Sequence, residues 1–270
     1  VNTWWRNIIE PGMAFTKANT IKNKGIGMKG KKVELTKVTR PRLFPTYQRT
    51  DLNNLLDELS ATPLIMVHSK PGSGKTTLVS SYIENRDIPC LWYRLDRHDE
   101  DLAIFFYYLG IAALRSNPCI KTALPQVSAE RVLRVPSLAK EYFHKLFQCI
   151  ESPFMMVIDD YQELPKDAVL HSVITEACAA LPPGGRIVLI NNGDCLENPD
   201  KPPTHRATAI LGCEELQLTP DEVKGIAALH GVRLSSDLAA KQLQMKTGGW
   251  VGGLIHELHE LKSEQMPQEG

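Results

Sequence analysis

The sequence predicts an α/β fold: a doubly wound parallel sheet followed by a small helical subdomain. Three observations predict it. Short apolar runs, Leu64–Val67, Leu91–Leu95, Phe154–Ile158 and Ile187–Ile190, alternate with helix-like segments, the pattern of a parallel sheet. The first run leads into Ser69-Lys70-Pro71-Gly72-Ser73-Gly74-Lys75-Thr76-Thr77, a glycine-rich turn of the phosphate-binding kind. The Phe154–Ile158 run ends in Asp159-Asp160, two carboxylates at a strand tip, where ligands sit in open α/β sheets.

The elements follow in order. Residues 36–48 are punctuated by Pro41 and Pro45 and read as extended. A helix from Asp51, its expected cap, to Leu59 precedes the first strand, and a second helix starts near Thr76. Cys90–Leu95 is the next strand, Asp96–Asp101 a charged turn, and Asp101–Leu114 an apolar helix. Pro118, Pro125 and Pro136 mark a loop over 116–136, after which Ser137 is expected to cap a helix to Ile150. A helix over 167–180 separates the Asp-Asp strand from the Gly185–Ile190 strand, and 193–206 is a loop. Leu216-Gln217-Leu218 is expected to be a last short strand. Beyond it Thr219 caps a helix with Pro220 at its first position and Glu222 as the reciprocal partner. This divides the chain into a nucleotide-binding domain over 33–215 and a helical subdomain over 216–265.

Residues 1–32 carry Lys17, Lys22, Lys24, Lys29, Lys31 and Lys32 with little acidic balance, and are expected to be a disordered basic extension. Met28 suggests that residues 1–27 reflect start-site choice. Over 270 residues the formal net charge is +0 and 43% of residues are hydrophobic, so no global field draws the chain to nucleic acid or membrane. No apolar stretch is long enough to span a bilayer. The cysteines Cys90, Cys119, Cys149, Cys178, Cys195 and Cys213 are scattered with no Cys-x-x-Cys pair, which points to reduced thiols in a cytoplasm.

The glycine-rich turn matches the P-loop pattern G-x-x-x-x-G-K-[ST], with Ser69 where the first glycine stands. Its chemistry needs these residue types. Gly72 and Gly74 let the backbone turn tightly and aim N–H groups at phosphate oxygens. Lys75 reaches the terminal phosphates, Thr76 offers a hydroxyl to Mg²⁺, and the helix adds its positive end. The cofactor-binding set is thus Ser69 through Thr77, with ATP or ADP and Mg²⁺ as the ligands. Asp159 would complete the Mg²⁺ shell with Thr76; Asp160, with Lys75, would carry catalysis by orienting or deprotonating the attacking water.

Three blocks together resemble a known family. They are Thr36-Lys37 to Leu43 with the P-loop; Val157-Ile158-Asp159-Asp160-Tyr161; and Thr247-Gly248-Gly249-Trp250-Val251-Gly252-Gly253-Leu254, preceded by Leu218-Thr219-Pro220-Asp221-Glu222. Trp92-Tyr93-Arg94-Leu95-Asp96 and Phe105-Phe106-Tyr107-Tyr108-Leu109 are similar too. The order resembles the ATPase module of MalT-type (LuxR-family) transcriptional regulators, members of the signal-transduction ATPases with numerous domains (STAND P-loop NTPases), over residues 33–262. The resemblance implies an ATP-driven switch that self-associates when ATP is bound and answers to a small-molecule inducer held by other domains. It implies that the 36–48 segment helps seat the adenine, with Arg42 and Leu43 as candidates, and that Trp250 packs a helical subdomain on the core. The chain departs from the pattern in two places. Asn192 falls where an arginine usually senses the γ-phosphate, a cation worth about 10³–10⁵ in rate, and Gln162 replaces a histidine. The sensor and DNA-binding domains that usually follow are missing, so the chain is expected to be a fragment or a truncated relative.

Other readings stand beside this one. Asn192 favours a protein that binds nucleotide, barely hydrolyses it, and acts by assembly. A small-molecule kinase would need an arginine-bearing lid, for which Arg131 and Arg134 are the candidates. Asn191-Asn192-Gly193-Asp194 lacks the lysine of a guanine-reading motif, and no Asp-x-x-Gly follows the Asp-Asp strand, which argues against a GTPase. His68 reads as a strand-end core residue. No helix concentrates arginine and lysine on one face, so direct DNA binding is not expected from this segment, nor is a membrane partner.

Overall fold

The computed structural model describes residues 36–116, 124–125, 135–195 and 207–265. The basic segment 1–32, Cys119, Arg131, Arg134 and most of the 193–206 loop lie outside the described residues.

Five strands, β1 (Leu64–Ser69), β2 (Cys90–Arg94), β3 (Phe154–Asp159), β4 (Gly185–Asn192) and β5 (Thr208–Leu211), form one sheet in the order β2-β3-β4-β1-β5. Every pairing is parallel. Helix α1 (Thr50–Glu58) precedes β1. Parallel neighbours need crossovers, and α2 (Lys75–Asn85), α3 (Leu102–Ser116), α4 (Val135–Gln148) and α5 (Leu170–Ala180) lie on them. Three more helices, α6 (Pro220–Leu229), α7 (Asp237–Thr247) and α8 (Val251–Gln265), follow the sheet.

Strand side chains alternate between faces, and the sheet builds one core on each. Leu64, Met66, Tyr93, Met156, Ile158 and Leu189 join an aromatic-rich core with α3, α4 and α5. Phe105, Phe106, Tyr142, Phe143, Phe147 and Phe154 meet there in tilted and edge-on pairs. The alternate residues Ile65, Val67, Trp92, Met155, Val157, Val188 and Ile190 pack against α1 and α2. This two-faced burial explains the unbroken apolar runs: β1 and β3 are buried at all six positions. The α/β doubly wound architecture expected from the sequence, with a glycine-rich loop after β1 and a carboxylate at the tip of β3, is the one observed.

Three local expectations are corrected. Leu216-Gln217-Leu218 is no strand; the last strand is β5, a short edge strand without a continuous buried run. Leu216 and Leu218 are instead buried anchors of a turn, the first donating its N–H to the Gly212 carbonyl and the second to that of Gly249. Asp51 does not cap α1: Arg49 is the N-cap residue, without a side-chain cap, and Asp51 lies in the first turn, where an acid suits the helix dipole. Ser137 lies inside α4, because Pro136 occupies its first turn, the one place where a missing N–H costs nothing. Among the described residues after 216 there are three helices, separated where Gly231, Gly248 and Gly249 take positive φ of 77°, 60° and 68°. The cap of α6 is as expected: Thr219 Oγ1 accepts from the Glu222 N–H at 3.3 Å and Glu222 accepts from the Thr219 N–H at 2.9 Å.

Helices α6–α8 enclose a third cluster of their own, Leu218, Val223, Ala227, Val232, Ala240, Leu254 and Leu258, with Tyr47 packed against it. Arg49, at the N-terminus of α1, is one tie between this unit and the rest of the chain. Arg49 donates to both Glu222 carboxylate oxygens at 2.8 and 3.0 Å and to the carbonyls of Leu216 and Gln217 at 3.1 and 2.8 Å. Both partners are largely buried, at 11% and 10% side-chain exposure, so removing the arginine strands a carboxylate. Arg49→Met should cost about 3 kcal/mol in urea unfolding; a loss under about 1 kcal/mol would place that pair among ordinary surface contacts.

Candidate nucleotide site

The site gathers at the C-terminal edge of the sheet. β1 ends at Ser69, which is paired in register with Asn192 of β4. The chain then turns through Gly72 and Gly74, with φ of 77° and 86°, into α2. Only glycine takes this region without strain. Gly74 is the N-cap of α2 and no side chain caps it, so the positive end of the helix opens onto the loop. Lys75 is buried, its ammonium donating to the Ser69 and Lys70 carbonyls at 2.8 and 2.9 Å and to Ser73 Oγ at 3.3 Å. Burial pulls the Lys75 ammonium down to about 8, against the opposing pull of the Asp159 and Asp160 charges.

Asp159 ends β3 and is buried at 4% exposure. The Thr76 hydroxyl donates to its two oxygens at 3.2 and 3.4 Å. Burial, then the neighbouring Asp160 charge, raises the Asp159 carboxyl; the Asp160 N–H and the Thr76 hydroxyl partly offset this. The sequence placed Thr76 and Asp159 in one Mg²⁺ shell, and the fold brings them together. A hydroxyl and a carboxylate in contact suit a small hard cation that keeps several waters, and a cation there would offset both the burial and the Asp160 repulsion that raise Asp159.

Asp160 takes φ 57°, unusual for a non-glycine residue. Its carboxylate accepts from Arg94 Nε at 2.5 Å and from Gln162 Nε2 at 3.1 Å. Gln162 in turn accepts the Asn192 N–H at 2.9 Å. The tips of β2, β3 and β4 are thereby joined by one chain of polar contacts. Sequence reasoning gave Arg94 no role. Its signal was its place: β2 runs parallel to β3 and sets Arg94 level with Asp159. Gln162 and Asn192, read only as departures from a family pattern, are bonded to each other. His68 is buried beside Asn191 and Asp194 O, at 2.9 and 3.3 Å, as a strand-end core residue would be.

The remaining loop residues are more open. Lys70, Pro71 and Thr77 are exposed, Ser69 and Ser73 buried. The 36–48 segment, expected to be extended, opens with a 3-10 turn at Thr36–Val38; beyond it the chain meets α2, where Ser80 Oγ donates to the Pro41 carbonyl at 3.1 Å and Arg40 donates to the Ser80 carbonyl at 3.2 Å. Arg42 is exposed and Leu43 half-buried.

The thiol reading needs correction. Cys195 and Cys213 form a disulfide, with Cα atoms 5.6 Å apart. The two lie 18 residues apart, a spacing that carries no signal. β4 and β5 flank β1, and the segments leaving them converge over its end, which brings the sulfurs together beside Ser69 Oγ. Cys90, Cys149 and Cys178 remain thiols, and burial pushes the Cys90 thiol up to about 12. Among the described residues no helix is long and apolar enough to cross a membrane.

No family model matches the chain. No curated protein matches it either. Among solved structures it is similar to the Walker-type ATPase PABY2304 of Pyrococcus abyssi, at 14% identity and TM-score 0.49, over 83% of this chain and 72% of that one. The Thermotoga maritima RuvB Holliday junction branch migration motor is similar at 15% identity and TM-score 0.41, over 79% and 60%. AMPPCP-bound DnaA from Aquifex aeolicus is similar at 11% identity and TM-score 0.42, over 82% and 62%. The chain thus spans about three fifths of the RuvB and DnaA chains. The fold assignment rests on the strand order and loop geometry above.

The buried ammonium has a consequence for stability. The folded protein releases the Lys75 proton at about 8 and the unfolded chain at an ordinary 10.5. Between those values the unfolded state holds more protons, so the native state gains stability as pH rises through the window. Wild type should gain stability relative to Lys75→Met between about pH 8 and 10.5, read by urea unfolding at stepped pH. A flat difference would mean that the ammonium is solvated.

Proposed function

We propose that this chain is the ATP-binding, slowly hydrolysing switch module of a MalT/LuxR-type transcriptional regulator. What carries the nucleotide reading is the contact of Thr76 with Asp159: the start of the loop helix and the strand-tip carboxylate, 83 residues apart, meet beside the Lys75 ammonium. In this reading the Ser69–Thr77 loop and Lys75 hold the phosphates, Thr76 and Asp159 hold Mg²⁺, and Asp160 positions water. Mg²⁺ would supply charge neutralisation between the terminal phosphates. The regulator assignment is supported by the three sequence blocks and their order. With it come self-association in the ATP-bound state, an inducer received through other domains, a cytoplasmic location, and DNA reading delegated to other segments.

One observation favours a second reading, binding with little hydrolysis. Asp160 is engaged by Arg94, and Asn192 offers no cation where the family places an arginine. A carboxylate already held by a guanidinium and an amide has fewer lone pairs left to orient an attacking water.

Affinity for ATP and ADP with Mg²⁺, and turnover in the same samples, separate these readings. Lys75→Ala should weaken nucleotide binding by at least about tenfold, the loss expected when a charged hydrogen-bond donor is removed; unchanged affinity would refute the loop assignment. Asp159→Ala should abolish the Mg²⁺ dependence of binding, which a titration with and without chelator detects. Asn192→Arg should speed hydrolysis if that strand end faces the γ-phosphate. Tight binding with no turnover in any variant would favour the assembly-only reading.

A further inference from the structure

The Gly-Trp segment between α7 and α8 grips the phosphate-binding loop from its outer side. Trp250 Nε1 donates to the Pro71 carbonyl at 3.0 Å. The Gly252 N–H donates to the Gly72 carbonyl at 2.9 Å. The indole lies against the loop itself: a Cβ built on Gly72 would stand 3.1 Å from the ring. Lys70 Nζ sits 4.8 Å from the ring centroid, within cation–π range. The two glycines after the tryptophan make room for it, since a Cβ on Gly252 or Gly253 would meet the indole at 2.8 or 2.9 Å. Gly249, at φ 68°, is packed against the Leu218 backbone, which fixes where Trp250 emerges.

These bonds fall on particular peptide planes. A trans peptide is planar, and its C=O and N–H point in opposite directions. The Pro71 carbonyl shares its plane with the Gly72 N–H, and the Gly72 carbonyl shares its plane with the Ser73 N–H. Drawing both carbonyls towards Trp250 and Gly252 therefore turns both N–H groups away from them. Left alone, the loop has no strong preference, because Gly72 borders both planes and lets them rotate at little cost. A choice between donors-in and carbonyls-in has to come from outside the loop, and two donors supplied by the helical unit make that choice.

We propose that Trp250 and Gly252 are positioning residues for anion binding: they lock two loop peptides so that the Gly72 and Ser73 N–H groups face an incoming polyphosphate, the di- or triphosphate of a nucleotide. The inference rests on the reading of this loop as a nucleotide site. It gives the helical unit a part in phosphate recognition, beyond the packing role that the sequence suggested for Trp250. It also makes phosphate affinity depend on contacts from 179 residues away in the chain.

The test compares wild type, Trp250→Phe, Gly252→Ala and Lys75→Ala in their calorimetric affinity for inorganic tripolyphosphate and for ATP, both with Mg²⁺. Thermal midpoints and amide hydrogen exchange are measured on the same proteins without ligand. Trp250→Phe keeps an aromatic ring and loses one donor. It should weaken tripolyphosphate and ATP equally, by roughly three- to tenfold, the value of one neutral hydrogen bond. It should speed exchange at the Gly72 and Ser73 amides while leaving α8 protected. Gly252→Ala, which forces the indole off the loop, should act in the same direction. If wild type binds both ligands in a Lys75-dependent way and Trp250→Phe binds them unchanged, the positioning role is overturned and the nucleotide reading survives. If Trp250→Phe lowers the thermal midpoint and deprotects α8 as a whole, Trp250 is a packing residue and the proposal falls. If wild type binds neither ligand, the nucleotide reading itself fails and takes this inference with it.

Discussion

Everything at this site depends on β1 being flanked by two parallel partners. With β4 paired along all six residues and β5 along Leu64–Val67, every residue of the strand is buried. An unpaired backbone group in that position would be costly, so the strand has one register and its end one place. Ser69 therefore marks a fixed point from which the loop departs. The same parallel arrangement sends β2, β3 and β4 towards the same edge, and their last residues, Arg94, Asp159 and Asn192, arrive there together. The chemistry-bearing groups are neighbours because strand direction forces them to be.

A fixed strand end does not by itself shape a loop rich in glycine. The loop is held from three sides. From within, Lys75 bonds two of its carbonyls. From behind, Ser69 is held against the segments that carry the Cys195–Cys213 disulfide. From outside comes the turn between α7 and α8. That turn is in turn fixed by Leu218, whose N–H is bonded to Gly249 O and whose carbonyl accepts from Gln244 at 2.9 Å. Arg49 grips the adjoining Leu216 and Gln217 carbonyls. The path from α1 to the loop through the helical unit is thus a continuous run of short polar contacts.

Much of this was legible in the sequence, and the unreadable parts share a cause. β1, β3 and β4 announced themselves because burial on both faces leaves an unbroken apolar run in each, Leu64–Val67, Phe154–Ile158 and Ile187–Ile190. The loop announced itself because φ above zero and close approach demand glycine at 72 and 74. The α6 cap was legible because Thr219, Pro220 and Glu222 act within one turn. β5 was missed because an edge strand of four residues, half-exposed, has no continuous apolar signature. The Cys195–Cys213 disulfide, the Arg94–Asp160 pair and the bond from Trp250 to Pro71 were missed because each joins segments that only the strand order brings together. Local residue choice records local geometry; it is silent about which distant chain end will arrive alongside.

The insertion of β4 between β1 and β3 has one more implication. Adjacent strands lie about 4.8 Å apart, so the tips of β1 and β3 are separated by roughly twice that. Asp159 crosses this gap to reach Thr76, whereas Asp160 is engaged from β2 and through Gln162. The sheet thus acts as a ruler that puts the Thr76 contact and the Arg94–Gln162 contacts on opposite sides of the carboxylate strand. If the proposed nucleotide site is right, residues on the far side could vary without disturbing the Thr76–Asp159 contact, and related chains would hold the ligand alike while differing in how fast they turn it over.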